Sequence, residues 1–438
     1  MANQINKFLL ISIDSWRYDA LSRTNPLLNT PKFDLLTRDF TLAERFFVTA
    51  PATRPSHTSL FTGLYPFEHG LYGQTYLKMS AGIPNLFQLF EGADYHVMGR
   101  SERHDVFRFL DFEPFIAPLD AQATDQHLAS LESLIEWMAQ PHKSLAKRDL
   151  VSGRDSKQPA TTRQFCFVHF WHTHGSYGLG RIRSAPNLQK WVDEGRMEEV
   201  FRFYYAAVVH VLEFAIVEIL KRVPLDEWAV FIFADHGEGL CKEVMAHGTT
   251  LHQNVIHAPL LMHIPGTAGL KLPDGPLSMI DLFPTIVNLG NTPVDYQGYG
   301  LDMLGPTKAF EDRWVLAELD SLYGIGFLKP SNLQTEHSRV TSRVSMDGVE
   351  IAKDPEGTRM WAITNGQQFY REDEYTGDFV LRDVRSGQDL TCDKPHPFRT
   401  IHDEILINSH YQHLEAQETT PEDEKILEAR LRDLGYIE

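Results

Sequence analysis

The chain has 438 residues, of which 42% are hydrophobic, and a formal net charge of -18 at pH 7. This length and apolar share suffice for a large core, in two domains or in one large domain with an appendage. The negative charge argues against a nucleic-acid backbone as the ordinary partner. The chain has no run of eighteen apolar residues and no charged-then-apolar segment at its amino end, so the sequence predicts a cytoplasmic protein without a membrane partner. Its three cysteines lack metal-binding spacing and agree with reduced thiols.

Residues 8–13 are apolar except for Ser12 and predict a buried strand, and Asp14 follows directly. Side chains at the carboxyl end of a parallel strand face the crevice in which α/β proteins bind their ligands. Asp14 is therefore a candidate metal ligand. An isolated aspartate after a strand is also common as a turn or cap residue, and that interpretation stays open for Asp14 alone.

The segment 50–66 places the hydroxyl of Thr53 directly before a predicted helix. Pro55 suits the first helical position, where its missing N–H costs nothing, and Gly63 suits the position just after the last turn. The unpaired N–H groups and the dipole of a helix N-terminus favour an anion, so the segment predicts a phosphate or sulfate site with a nucleophile at its edge. A threonine that only caps the helix would explain the same pattern.

The middle of the chain alternates between strands and helices until about residue 325. The predicted elements are a helix over residues 85–90, a strand over 95–98, an amphipathic helix over 126–138, a strand over 165–171 and a long helix over 200–222. Residues 142–164 lack periodicity and predict a solvated loop.

A second buried strand is predicted for Trp228–Ala234, and Asp235 and His236 follow it directly. Because the ends of parallel strands meet at one crevice, we expect these two residues to lie near Asp14 and Thr53. Carboxylate, hydroxyl and imidazole groups together suit a divalent cation. Their common position after apolar strands favours a metal site over separate structural roles.

The carboxyl-terminal part changes character. Residues 340–384 contain short strand-like runs that are separated by glycine, aspartate and asparagine turns. Residues 422–434 predict a charged amphipathic helix, and the charges between 415 and 425 predict a solvated surface.

Six blocks in chain order resemble the sulfatase and alkaline-phosphatase superfamily: residues 11–19, 53–63, 235–238, 246–261, 278–286 and 431–437. The first resembles the family's first metal-binding strand, the second its nucleophile signature and the third its late metal pair. The resemblance implies an α/β fold with a mostly parallel sheet sandwiched by helices, as in alkaline phosphatase, and a small carboxyl-terminal antiparallel sheet with a helix. It implies a catalytic domain over residues 1–330 and an α+β subdomain over residues 331–438.

Three positions depart from the pattern of sulfatases. Thr53 stands where sulfatases carry a cysteine or serine that is oxidised to formylglycine, Ser15 stands where a second aspartate is usual, and His57 stands where an arginine is usual. Threonine cannot become that aldehyde. The chain therefore resembles more closely those members of the superfamily that use a threonine nucleophile on phosphate esters. The less acidic site favours zinc or manganese, with calcium or magnesium as alternatives.

The resemblance also implies roles for individual residues. The implied metal ligands are Asp14, Thr53, Asp235 and His236. The implied catalytic residues are Thr53, His174 and His247. The predicted substrate-binding residues are Ser56, His57, His104 and His172. His174 matches the family histidine that contacts the anion, and His247 suits protonation of the leaving oxygen. His172 has two other interpretations, a second metal site with His247 or His252, and ordinary packing.

The predicted activity is the metal-dependent hydrolysis of a phosphate ester, as phosphomonoester, phosphodiester or phosphonate ester, through a covalent intermediate on Thr53. The expected partner is a small anionic ester, and the oligomeric state stays open. One alternative is a sulfatase that uses Thr53 without formylglycine, and another is a phosphoryl transferase. A degenerate member that only binds an anion is a non-catalytic alternative, although a binding module needs no nucleophile.

Overall fold

The computed structural model describes residues 5–73, 78–79, 82–119, 124–139, 142–143, 160–161, 163–174, 190–191, 194–241, 244, 247–267, 269–326, 342–346, 349–374, 376–392 and 395–411. Side chains are described for these residues except 124–130, 142–143, 160–161 and 321–358. The predicted helix over residues 422–434 and the family block over residues 431–437 lie outside the described residues.

The strands, in chain order, are β1 (Lys7–Ile13), β2 (Thr41–Leu42), β3 (Phe46–Phe47), β4 (His96–Ser101), β5 (Ile116–Pro118), β6 (His142–Lys143), β7 (Ala160–Thr161), β8 (Gln164–Phe170), β9 (Trp228–Ala234), β10 (Leu260–His263), β11 (Leu277–Ser278), β12 (Val315–Gly326), β13 (Ser342–Met346), β14 (Val349–Thr364), β15 (Gln368–Asp373), β16 (Phe379–Asp383) and β17 (Asp389–Leu390). A seven-stranded sheet has the spatial order β2-β10-β9-β1-β8-β4-β5. Its strands β9, β1, β8, β4 and β5 are parallel, and β10 and β2 add an antiparallel edge. The predicted mostly parallel sheet is therefore confirmed.

The register of the central strands determines which residues meet at the carboxyl edge of this sheet. Ile13 of β1 is level with Phe170 of β8 and with Ala234 of β9. The next residues along β1 and β9 are Asp14 and Asp235, so the two carboxylates leave the sheet side by side. All three strands are apolar and buried almost throughout, as expected for parallel strands with both faces covered.

The helices of the described residues include Pro31–Leu36, Thr53–Thr62, Pro66–His69, Leu86–Gly92, Thr124–Ala139, Met197–His210, Val217–Leu220, Gln253–Ile256, Leu282–Gly290 and His396–Ile407. Short 3-10 segments are His104–Phe107, Glu113–Phe115, Met279–Asp281 and Thr307–Phe310. The predicted helices over residues 85–90, 126–138 and 200–222 each correspond to one of these elements or, for the last, to a continuous run of them.

The helix Thr53–Thr62 begins two residues earlier than predicted. Ala52 is its N-cap, so Thr53 is the first helical residue and Pro55 the third. Proline is tolerated there because the first N–H groups of a helix have no acceptor within the helix. Gly63 ends the helix in the left-handed conformation, with φ of 73°, as predicted from its position.

The long helix Met197–Leu220 contains a π-helical segment, Val211–Ile216. By length and composition it could cross a membrane, but 61% of its most apolar window is buried inside the protein. Within the π-helical segment, Glu213 accepts hydrogen bonds from the N–H groups of Lys32 and Phe33, each at 2.9 Å. The helix therefore packs as a core helix and caps the start of helix Pro31–Leu36.

A second, antiparallel sheet has the order β12-β14-β15-β16-β17, with β13 paired to β14. Trp361 and Tyr370 lie in a small apolar core of their own beneath this sheet, and Phe398 of helix His396–Ile407 packs against it. The predicted carboxyl-terminal antiparallel sheet with a helix is confirmed. Because β12 starts at Val315, the sheet uses residues on both sides of 330, and a domain division at that position stays a prediction.

The predicted loop over residues 142–164 is only partly described. Within it, β6 and β7 pair as a short antiparallel ladder, so the segment is not irregular throughout. Residue 164 already belongs to β8.

Candidate active site

Asp14 and Asp235 form a fully buried carboxylate pair. Ser15 has a left-handed backbone, with φ of 52°, which directs its N–H to Asp235 Oδ1 at 3.3 Å while its hydroxyl donates to Asp14 Oδ1 at 2.5 Å. Burial and the charge of Asp14 raise the pKa of Asp235 well above its usual value. A bound divalent cation would allow both carboxylates to ionise.

Thr53 presents its hydroxyl to this pair. Its Oγ1 atom donates to Asp14 Oδ2 at 3.1 Å and lies 3.5 Å from His236 Nε2. The side chain is buried, and it stands on the first residue of a helix, where free N–H groups and the helix dipole favour an anion. The structure thus brings together the four residues that the sequence predicts as metal ligands.

His236 directs one nitrogen at the carboxylates. Its Nδ1 atom lies 2.9 Å from the carbonyl oxygen of Gly237, and its Nε2 atom lies 3.6 Å from Asp235 Oδ2. Burial lowers the pKa of His236 to about 3, so its imidazole is neutral. A neutral imidazole whose Nδ1–H donates to a carbonyl has a free Nε2 lone pair, which is the form that binds a metal.

His169 is a site residue that the sequence analysis missed. Its Nε2 atom lies 3.7 Å from Asp14 Oδ2 and 3.9 Å from Asp235 Oδ2, and its Nδ1 atom lies 2.9 Å from the hydroxyl of Ser101. The available signal was composition, because His169 is the one polar residue among residues 165–170. Its position level with Ser12 of β1 places it one residue short of the strand end.

Two buried atoms of this cluster fit a metal. Among the residues that the structure describes, the Nε2 atom of His169 and the Oδ2 atom of Asp235 have no hydrogen-bond partner, an unusual state for buried polar atoms that a bound cation would relieve. Two groups of residues have candidate ligand atoms that converge: Asp14–Asp235–His236 and His57–His169–Asp235. Within each group, the ligand atoms all lie within 4.8 Å of one another. Carboxylate and imidazole donors suit a divalent cation such as zinc or manganese.

The side chain of His57 lies between the sheet and its own helix, Thr53–Thr62, which is called the nucleophile helix after the predicted role of Thr53. Its Nδ1 atom is 2.8 Å from the carbonyl oxygen of Thr53, and its Nε2 atom is 2.9 Å from the hydroxyl of Ser12. Burial, with the neighbouring His169, lowers the pKa of His57 well below its usual value. Ser56, next to it, donates its hydroxyl to the carbonyl oxygen of Asp235. Both side chains therefore join the helix to the strand ends, and their predicted contact with substrate stays a prediction.

His247 and His174 cover the site from the other side. The ring centroids of the two imidazoles are 4.9 Å apart, and His247 lies 4.4 Å from the His236 ring. Burial alone would lower the pKa of His247, but the Glu238 carboxylate at 3.2 Å outweighs it and raises that pKa. Burial lowers the pKa of His174 well below its usual value. His247 can therefore hold a proton, whereas His174 is neutral.

His172 and His104 lie further along the strand ends. The His172 ring lies against His210, with the centroids 4.7 Å apart. Neither of the two convergent ligand sets within the described residues contains His172, His247 or His252, so the described part gives no second metal site of that composition. The reason is that residue 172 turns toward the long helix. His104 begins a 3-10 segment after β4, beside Arg103, whose guanidinium lies over Trp171.

Gly237 allows the loop after β9 to pack closely. A Cβ atom at this position would lie 2.1 Å from the carbonyl oxygen of Asn254, and the Gly237 N–H donates to the Val255 carbonyl at 2.7 Å. A side chain at this position would therefore displace the loop after β9, which begins with Asp235 and His236.

The family model described as Sulfatase matches residues 6–292. The chain belongs to the sulfatase family. The matched range contains the end of β1, the nucleophile helix and the end of β9, with all four predicted metal ligands. The family and its structural relatives are ester hydrolases, so the predicted superfamily and enzyme class are confirmed at that level.

Curated members of the sulfatase family resemble part of the chain. Arylsulfatase K of Mus musculus is 27% identical over 139 residues, which are 28% of this chain and 25% of the relative. Arylsulfatase K of Gallus gallus is 28% identical over 129 residues, which are 26% of this chain and 24% of the relative. The matched region thus spans about a quarter of the length of these relatives.

Solved structures resemble nearly the whole chain. A 2-O GAG sulfatase superposes with a TM-score of 0.64 at 14% identity and covers 96% of each chain. The phosphonate monoester hydrolase of Agrobacterium radiobacter superposes with a TM-score of 0.60 at 16% identity and covers 93% of this chain and 96% of that chain. At these identities the likeness concerns the fold, and it confirms the predicted alkaline-phosphatase-like architecture.

Proposed function

We propose that this sulfatase-family protein hydrolyses phosphate esters in two steps through a covalent intermediate on unmodified Thr53. The observation that carries the proposal is the position of the Thr53 hydroxyl, 3.1 Å from Asp14 Oδ2 and 3.5 Å from His236 Nε2 at a helix N-terminus. A nucleophile, a cation site and an anion site thus coincide, as phosphoryl transfer requires. Phosphomonoesters, phosphodiesters and phosphonate esters all present this chemistry.

Asp14, Asp235 and His236 would hold a divalent cation, zinc or manganese before calcium or magnesium, with Thr53 adjacent. When bound, such a cation lowers the pKa of a neighbouring hydroxyl and neutralises charge on a phosphoryl oxygen. The site also fits the group because one of these ligand atoms, Asp235 Oδ2, is buried and has no hydrogen-bond partner within the described residues.

In the first step the Thr53 oxygen forms a bond to phosphorus as the bond from phosphorus to the leaving oxygen breaks. The hydroxyl proton leaves along the hydrogen bond to Asp14. His247 donates a proton to the leaving oxygen. It can hold that proton because the Glu238 carboxylate raises its pKa and outweighs the effect of burial. The N–H groups of the first helical turn and neutral His174 donate to the remaining phosphoryl oxygens. Water then attacks phosphorus and gives its proton to His247, while the bond from phosphorus to the Thr53 oxygen breaks and that oxygen regains its proton from Asp14.

Sulfate esters are the second candidate substrate class. The names of the relatives, arylsulfatase K and a 2-O GAG sulfatase, favour it, whereas the name phosphonate monoester hydrolase favours an ester of phosphorus. The chemistry of residue 53 decides our preference. A sulfated threonine lacks the hemiacetal route by which a formylglycine hydrate expels sulfate, whereas water can cleave a phosphothreonine at phosphorus. Transfer of the phosphoryl group to another alcohol would use the same first step.

We further propose a cytoplasmic location, which the three cysteines support because they form no disulfide bond within the described residues. A secreted form would be expected to pair or lose such thiols.

The test compares 4-nitrophenyl phosphate, bis(4-nitrophenyl) phosphate, a 4-nitrophenyl phosphonate ester and 4-nitrophenyl sulfate on protein of measured metal content. We expect the phosphorus esters to have the higher kcat/KM, and intact mass to show unmodified Thr53. A preference for the sulfate ester, or an aldehyde at residue 53, would reject the proposal. Production of a phosphorylated alcohol when glycerol is added would reassign the protein as a transferase.

A further inference from the structure

Two arginines of the second sheet contact the segment that follows His247 in the chain. Arg371 of β15 is opposite Val380 of β16, and Arg382 lies two residues further along β16. Because side chains alternate along a strand, Arg371 and Arg382 are on the same face of the sheet, as diagonal neighbours. Phe369 shares this face and packs into the core of the main part of the chain, so the two guanidinium groups face that part.

The arginines contact the segment that follows His247. Arg371 Nη1 donates to the hydroxyl of Thr250 at 3.1 Å, and Arg382 Nη1 lies 2.7 Å from Nε2 of His252. This segment forms a hydrogen bond with the chain just before the nucleophile helix, because the N–H of Gly248 donates to the carbonyl oxygen of Pro51 at 2.9 Å. The two arginines therefore contact the segment that follows His247, the proposed proton donor to the leaving oxygen.

Within the described residues, the two guanidinium groups of this cluster form one ion pair with a carboxylate. His252 lies within hydrogen-bond distance of the Asn254 N–H at its Nδ1 atom and of the Arg382 guanidinium at its Nε2 atom. Asp389, largely exposed, forms an ion pair with Arg382. Arg371 forms no ion pair with a carboxylate within the described residues, and burial and the charge of Arg382 lower its pKa. An additional oxyanion would balance the charge of Arg371.

We propose that Arg371 and Arg382, with Thr250 and His252, form a subsite for a second oxyanion on the leaving group of the substrate. The natural substrate is then an ester whose leaving alcohol carries a carboxylate, phosphate or sulfate. Guanidinium groups bind all three in bidentate fashion. The proposal rests on the proposed ester hydrolysis, because it names the leaving-group side of the same site.

The test uses 4-carboxyphenyl phosphate and its neutral counterpart 4-carbamoylphenyl phosphate, which differ in charge but little in shape. A 4-sulfophenyl and a 4-phosphonophenyl ester distinguish among the oxyanions. We expect the wild-type protein to favour the charged esters, and Arg371→Gln and Arg382→Gln each to lower the charged-to-neutral ratio of kcat/KM by about ten- to a hundredfold, as for a lost charged hydrogen bond. Arg385→Gln removes the same charge from an exposed position on the loop after β16 and should leave the ratio within about twofold, since it lies outside the subsite.

Equal ratios in the wild-type, Arg371→Gln and Arg382→Gln proteins would overturn the subsite and leave the proposed hydrolysis intact. If no ester is turned over, the hydrolysis fails, and calorimetric binding of 4-hydroxybenzoate to the metal-loaded protein decides the subsite separately. Binding that Arg371→Gln abolishes and Arg385→Gln retains supports it, and absent binding rejects it. Thermal unfolding of each variant verifies that a changed ratio comes from folded protein.

Discussion

Thr53 Oγ1 lies 3.1 Å from Asp14 Oδ2 although 39 positions separate the two residues in the chain. The contact joins the first residue of a helix to the end of the central strand, so the candidate nucleophile and a candidate metal ligand share a hydrogen bond. The roles of the nucleophile and of the metal ligands can therefore be tested by replacing one residue at a time.

Replacement of Thr53 tests the nucleophile. Thr53→Ala should lower kcat by several orders of magnitude while part of the metal binding remains, because the alanine variant retains Asp14, Asp235 and His236. Thr53→Ser is the matched control, since it keeps a hydroxyl at the same helical position. Near-normal turnover by the alanine variant would contradict a covalent Thr53 intermediate. Rapid quenching with a phosphate ester should place a phosphoryl group on Thr53 of the wild-type protein.

Removal of the metal tests the carboxylate pair. Chelation should abolish turnover, and added zinc or manganese should restore it, because Asp14 and Asp235 need a counter-charge to act together. Asp235→Ala should lose metal while circular dichroism shows a retained fold. Full-rate turnover by protein that elemental analysis shows to be free of metal would disprove the metal dependence.

His169 tests how many cations the site holds. Asp235 belongs to both convergent ligand sets, but His169 belongs to only one of them. If two cations bind, His169→Ala should lower the metal content by one per chain, whereas Asp235→Ala should remove both. Unchanged metal content and affinity in His169→Ala would mean that its unpartnered Nε2 atom serves no cation.

Replacement of His247 and replacement of His174 should lower the activity in different ways. His247→Ala should slow esters of poor leaving groups, such as phenyl phosphate, far more than 4-nitrophenyl phosphate, because a good leaving group needs no proton. His174→Ala should lower the rate for both esters by about a hundredfold, as the loss of a donor to the developing charge does. His257→Ala is the control, since its Nε2 atom contacts the Glu44 carbonyl at 2.9 Å, away from this site. Equal losses in all three variants, at matched stability, would refute this ranking.

Glu318 should make the stability of the fold depend on pH. Burial raises its pKa from 4.5 to about 8, although the N–H of Phe67 donates to its carboxylate at 3.0 Å. The folded protein therefore retains a proton that the unfolded chain loses above pH 4.5. Stability from this group is fully present below that pH and is lost as pH rises toward 8, by on the order of a few kcal/mol.

Glu318→Gln mimics the protonated acid and should remove this dependence. The Tm of the variant relative to that of the wild-type protein should rise between about pH 5 and pH 8. Glu311→Gln, on an exposed residue, should show no such trend. A Tm difference that stays constant with pH would show that the Glu318 carboxyl titrates normally.

The sequence by itself determined the elements that carry the chemistry. The short apolar runs that end at Asp14 and Asp235 predicted two buried strands, because parallel strands with both faces covered are apolar nearly throughout. Gly63 predicted the end of the nucleophile helix, since it adopts a backbone conformation that other residues avoid. The six family blocks, five of which lie in or overlap the described residues, then predicted the superfamily and the fold.

Only the tertiary structure decided which side chains meet. His169 lies within an apolar run, and it joins the carboxylates because β8 lies next to β1 in a register that aligns Phe170 with Ile13. His172, two residues after the end of β8, packs against His210 instead. The contacts of Arg371 and Arg382 with Thr250 and His252 join segments more than a hundred residues apart. Local sequence determines strands and helix ends through backbone preference and burial, whereas strand order and register are long-range properties of the whole core.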